Sequence, residues 1–226
     1  MEKYFVIGFN KTATLTFHQL FLQNGLTSCH NGKYQTNKLK IGLISSYVHE
    51  WCDLDSYMCF SDNGQCQDFK MLHAKYPNSI FILNLRRLDE WLISRFKHGL
   101  TYNQSWAYPY TEIKCKEWIK KREEYYKTLL DFFKDKSDKL IIVSIDENNW
   151  IQYISSELNF KITDIKSQHV FPTDTSIEEH RNIINIVNKS FNELLYTADD
   201  RKNILFKDKS LTEQYLNIFK NNISSH

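Results

Sequence analysis

Behind the apolar residues 4–7 and Gly8 stand Asn10, Lys11, Thr12, Ala13, Thr14, Leu15 and Thr16, one lysine among three threonines. These residue types suit an anion. Where a strand turns into a helix, the backbone N–H groups of the turn and the positive helix end face a phosphate, and a lysine beside them adds charge. A second candidate anion grip begins at Arg86, directly behind Phe81-Ile82-Leu83-Asn84-Leu85. An arginine at the carboxyl end of a strand holds a phosphate bidentately, and Ser94, two helical turns on, has a hydroxyl to donate.

Both groups need rigid elements behind them. Residues 4–7 read as a short buried strand, and Leu15, Phe17, Leu20 and Phe21 form a helical stripe over 14–23 that Asn24-Gly25 ends. Residues 26–29 read as a second strand. The clearest strand is 79–85, whose near-continuous apolar character predicts burial on both faces, as in a parallel sheet. Another buried strand is predicted over 140–145, and helices over 67–76, 88–98, 115–134, 150–158, 176–195 and 211–221. Residues 31–63 show no clean period and read as mixed helix and loop. This rhythm predicts an α/β fold with a central, mostly parallel β-sheet flanked by helices. A single domain over 1–226 is expected, with a motif-bearing part at 4–160 and a helical C-terminal part at 176–221.

Composition narrows the function classes. With 15% aromatics, 6 glycines and 3 prolines in 226 residues, the chain suits helices better than a many-stranded sandwich. A formal charge of +2 excludes a strong general attraction to nucleic acid. No apolar run approaches the ~18 residues of a membrane span. The opening residues lack the basic, apolar and small-residue order of a secretory signal, so a cytoplasmic location is expected. Cys52, Cys59 and Cys66 are evenly spaced with His49 nearby, which invites a zinc reading. Structural zinc sites use tighter ligand pairs, so reduced thiols are expected for these three, Cys29 and Cys115.

The first loop departs from the kinase pattern GxxxxGK[ST], because only two residues separate Gly8 from Lys11 and no glycine immediately precedes the lysine. It resembles the 5′-phosphosulfate-binding loop of sulfotransferases that use 3′-phosphoadenosine-5′-phosphosulfate (PAPS), in which lysine or arginine is followed by Ser/Thr-Gly-Thr-Thr. The second segment is similar to the same family. Sulfotransferases carry an arginine at the end of this strand and a serine eight residues later, the spacing of Arg86 and Ser94, and the pair holds the cofactor's 3′-phosphate. Residues 140–145, Trp150 and residues 153–158 resemble the family's late strand, tryptophan and helix. The resemblance spans residues 4–160 and implies a three-layer P-loop-like fold. It also implies transfer of a sulfuryl group from PAPS to a hydroxyl or amine of a small-molecule or carbohydrate acceptor. The nucleotide product is 3′,5′-adenosine bisphosphate (PAP), and no metal is required.

The resemblance implies that Asn10 to Thr16, Arg86 and Ser94 bind the cofactor, and that Lys11 neutralises the departing bridging oxygen. Two residues are candidates for the base. His30 follows the second predicted strand, where Golgi-type members place a glutamate. Asp62 stands 24 residues before Arg86, close to where cytosolic members carry a catalytic histidine. Histidine titrates near neutrality, whereas an aspartate needs its pKa raised by burial, which favours His30 and keeps Asp62 as its rival. Ala13 replaces the family's glycine, adding a Cβ where backbone approaches phosphate, and Leu15 replaces a threonine hydroxyl. These departures motivate a catalytically degenerate PAP-binding protein as one alternative. Another is a small P-loop nucleotide or nucleoside kinase, for which Asp146 is the strand-end aspartate that would hold Mg²⁺. The aromatic residues 102–110, with Trp106, form a candidate wall for an acceptor pocket.

Overall fold

A computed structural model describes residues 2–30, 33–35, 51–62, 68–104, 107–161 and 175–220. In chain order these form β1 (Tyr4–Val6), α1 (Thr14–Gln23), β2 (Ser28–His30), β3 (Lys33–Gln35), β4 (Trp51–Asp53), β5 (Cys59–Ser61), α2 (Phe69–Lys75), β6 (Ile80–Leu85), α3 (Leu88–Thr101), α4 (Glu112–Phe133), β7 (Leu140–Ser144), α5 (Trp150–Glu157), α6 (Ile177–Glu193) and α7 (Lys209–Lys220). The chain divides into two compact units. One comprises Met1–Leu85, Phe132–Gln168 and Asn222–His226, the other Arg86–Asp131 and His169–Asn221.

The first unit is built on a five-stranded sheet of order β2-β5-β1-β6-β7, with every pairing parallel. β6 lies between β1 and β7, and its last five residues are buried, as its apolar run requires. Helices α1 and α5 cover one face, where Phe17, Leu20, Phe21, Trp150 and Ile154 pack on Val6, Cys59, Ile82 and Val143. The other face carries Phe5 and Phe81, whose rings lie 5.3 Å apart. There Phe133, at the end of α4, packs on Phe81 at 5.0 Å and on Phe69 of α2 at 5.9 Å. The result is three layers, helix, sheet and helix. Helix α1 has the predicted bounds; Asn24 caps its carboxyl end and Gly25, at φ 74°, reverses the chain.

Two expectations are corrected. The mixed helix-and-loop reading of 31–63 misses three strands: β3 and β4 pair in parallel as a separate ribbon, and β5 sits between β2 and β1. A three-residue strand is too short to display a period. The expectation of reduced thiols also fails at Cys29, which is disulfide-bonded, because the folded chain pairs thiols that no CxxC spacing announces. Cys59 and Cys115 are free and buried, and burial raises both thiol pKa values. His49, Cys66 and the Cys52 side chain lie outside the described residues.

The second unit is helical. Helices α4 and α6 are joined by Lys189–Glu112 at 3.0 Å and Lys116–Glu193 at 2.5 Å. Helix α6 begins with a capping box, the Ser176 hydroxyl accepting from the Glu179 N–H and the Glu179 carboxylate from the Ser176 N–H. No described helix is long and apolar enough to cross a membrane.

Candidate active site

The loop between β1 and α1 lies at the carboxyl edge of the parallel sheet, the edge where open α/β sheets place ligands. Lys11 and Ala13 both hold left-handed backbone, at φ 68° and 62°. For a residue with a Cβ that region costs roughly 1–2 kcal/mol. Ala13 is the N-cap of α1 and supplies no side-chain cap. The Phe17 N–H bonds back to the Ala13 carbonyl at 3.2 Å. The N–H groups of Thr14, Leu15 and Thr16 therefore have no acceptor within the helix. The first turn also carries no acidic residue. Three N–H groups, a helix dipole and Lys11 make a fitting cradle for a phosphate or sulfate group.

Asn84 holds this loop, and the sequence reading passed over it. It is fully buried in β6. Its Oδ1 accepts from the Gly8 N–H at 2.8 Å, and its Nδ2 donates to both the carbonyl and the hydroxyl of Thr12, each at 2.6 Å. The Thr12 hydroxyl in turn donates to the Phe9 carbonyl, and Thr12 is fully buried. A Cβ on Gly8 would lie 2.2 Å from the Asn84 carbonyl oxygen, so glycine alone fits. The only available signal was a lone amide inside an apolar strand. Thr14 and Thr16 are buried in the first turn of α1, while Asn10, Lys11, Ala13 and Leu15 are half-buried.

The two candidate bases meet. β2 pairs with β5 so that His30 lies opposite Ser61, and Asp62 follows at once with φ 52°. His30 Nε2 is 3.9 Å from Asp62 Oδ2 and 3.4 Å from Thr14 Oγ1, at the start of α1. Burial, with the nearby His18 and Lys11 charges, pushes the His30 pKa down to about 4. The imidazole is therefore neutral at pH 7, and its approach to Asp62 is not an ion pair. Behind it the His18 ring lies 5.5 Å away, with Nδ1 held 2.9 Å from the Ser28 hydroxyl. A neutral histidine beside an anion cradle has a lone pair ready for an acceptor's proton.

In the second unit, Arg86 stands two residues before α3 and Ser94 is half-buried within that helix. The Arg86 guanidinium lies 3.4 Å from Glu90, and Arg87 pairs with Asp89 at 2.7 Å. Of the aromatic residues 102–110, Tyr110 packs on Tyr108 at 4.6 Å and on Phe96 at 6.2 Å. Trp106 lies outside the described residues. Trp150 is a core residue, packed on Phe17 at 5.3 Å beneath α1. Asp146 is exposed beyond β7, the edge strand of the sheet.

A family model described as a sulfotransferase domain matches residues 3–223, nearly the whole chain. No curated protein matches the chain.

Proposed function

Because this chain belongs to the sulfotransferase domain family and is thereby a transferase, we propose that its sulfuryl donor is PAPS. The acceptor on this reading is a hydroxyl or amine of a small molecule or carbohydrate, and the nucleotide product is PAP. The observation that carries the reading is the α1 cradle: helical N–H groups with no acceptor inside the helix and Lys11 at one end, a neutral His30 beside Thr14. Bound there, PAPS supplies an activated sulfuryl group whose bond to the bridging phosphate oxygen breaks on transfer.

The chain's own residues have separate tasks. Lys11 and the N–H groups of Thr14, Leu15 and Thr16 hold the anionic end and offset the charge that develops on the bridging oxygen. His30 takes the acceptor's proton at a ring nitrogen, with Asp62 close enough to stabilise the imidazolium that forms. Arg86 and Ser94 are assigned the 3′-phosphate on the family's spacing. Glu90, now beside Arg86, is then the carboxylate that phosphate competes with. The disulfide at Cys29 weighs for an oxidising compartment against the cytoplasm expected from the sequence.

Thermal unfolding with PAP and, separately, with ATP–Mg²⁺ tests this reading. PAP is expected to raise the melting temperature and ATP–Mg²⁺ to leave it nearly unchanged. Stabilisation by ATP–Mg²⁺ alone would overturn the assignment. PAP binding without sulfuryl transfer to a panel of alcohols, amines and sugars would identify a binding protein, the outcome that Ala13 and Leu15 motivate.

A further inference from the structure

Arg122 is the least expected charge in the second unit. It sits on α4 and is 1% exposed. Its Nη2 donates to the Arg86 carbonyl at 2.7 Å and to the Ile204 carbonyl at 2.6 Å. The guanidinium also lies over the rings of Trp91, at 5.5 Å, and Tyr126, at 5.0 Å. Among the described residues no carboxylate pairs with it. Removing a cation from water costs several kcal/mol, and two carbonyl dipoles and two ring faces offset that without neutralising the charge. A neutral donor would join the same two carbonyls at a smaller desolvation cost. A retained positive charge calls for a further reason.

The location supplies one. The carbonyl that Arg122 grips belongs to the residue assigned above to the 3′-phosphate, at the point where the chain enters α3. A second tie, from the Leu88 N–H to the Asn203 carbonyl at 3.2 Å, fixes the same entry. We propose that Arg122 is a positioning residue for Arg86. It anchors the backbone from which the Arg86 side chain springs, and its charge, paired with no carboxylate among the described residues, adds positive potential where a phosphate dianion binds. This deepens the PAPS reading and rests on it.

Arg122→Met and Arg122→Lys test the proposal, with calorimetric affinities for PAP and for AMP, which lacks the 3′-phosphate, and melting temperatures measured alongside. Arg122→Met is expected to weaken PAP about tenfold and AMP less than about twofold. Arg122→Lys keeps the charge but loses the planar fork, and is expected to fall between wild type and the Met variant. A folded Met variant that loses PAP and AMP affinity equally, or that keeps the wild-type preference for PAP, overturns the proposal alone. If that variant does not fold, the Lys variant decides: a reduced preference supports the role, and a full preference overturns it. A wild type that binds PAP no better than AMP overturns the 3′-phosphate assignment, and this proposal falls with it.

Discussion

Ala13 adopts the left-handed conformation despite its Cβ, so the missing glycine leaves the loop strained but formed. Ala13→Gly relieves roughly 1 kcal/mol of native strain and adds about 0.5 kcal/mol of unfolded-state entropy. A melting temperature raised by a degree or two and tighter PAP binding are expected. A lower melting temperature would mean that the Ala13 methyl's packing on the core beneath α1 outweighs the strain. His30 gives a pH test. Its native pKa of about 4 lies below the ordinary 6.5, so kcat/KM is expected to stay flat from pH 8 to 6 and fall only toward pH 4. A titration of kcat/KM near 6.5 would contradict a buried base. The stability effect has a definite sign. The unfolded chain takes a proton at 6.5 and the native one only near 4, so falling pH drains stability across that window, by up to about 3 kcal/mol. His30→Gln should shrink the gap between urea midpoints at pH 7 and pH 4.5.

Among the elements, β6 was the most legible and also concealed the most. Its apolar run predicted a buried strand, yet the same pattern made Asn84 look incidental. In the fold that amide satisfies the backbone of the β1–α1 loop, and Gly8 admits it. Gly8→Ala places a Cβ against main chain with no flexible atom to yield, so a large fall in melting temperature and lost PAP binding are expected. Asn84→Leu preserves bulk but removes the Asn84 bonds to the Gly8 N–H and the Thr12 carbonyl and hydroxyl, at roughly 1–3 kcal/mol for each buried group left unpaired. Its melting temperature should drop, and PAP affinity with it. Unchanged PAP affinity in a folded Asn84→Leu protein would show that the loop holds its shape without the clamp. Helix α1 was legible to the residue because its stripe and its Asn24-Gly25 stop are local signals. β5 was not, since its position depends on partners 30 and more residues away in sequence.

For the whole molecule, PAP at about a hundred times its Kd should add about 2.7 kcal/mol of stability. In a chain of this size that corresponds to a rise of roughly 5–10 °C in melting temperature. The net charge of +2 offers no comparable long-range pull, so the effect should come from the specific anion groups and weaken with salt. What the sequence by itself determined was the α/β class, the strand, loop and helix of residues 4–23 and the offset between Arg86 and Ser94, because period, turn chemistry and residue offset are local properties. Only the tertiary structure decided that β5 brings Asp62 to His30, that Asn84 holds the loop, that Arg122 anchors Arg86 and that Cys29 is oxidised. Each of these depends on burial and contact between residues far apart along the chain, which no local pattern records.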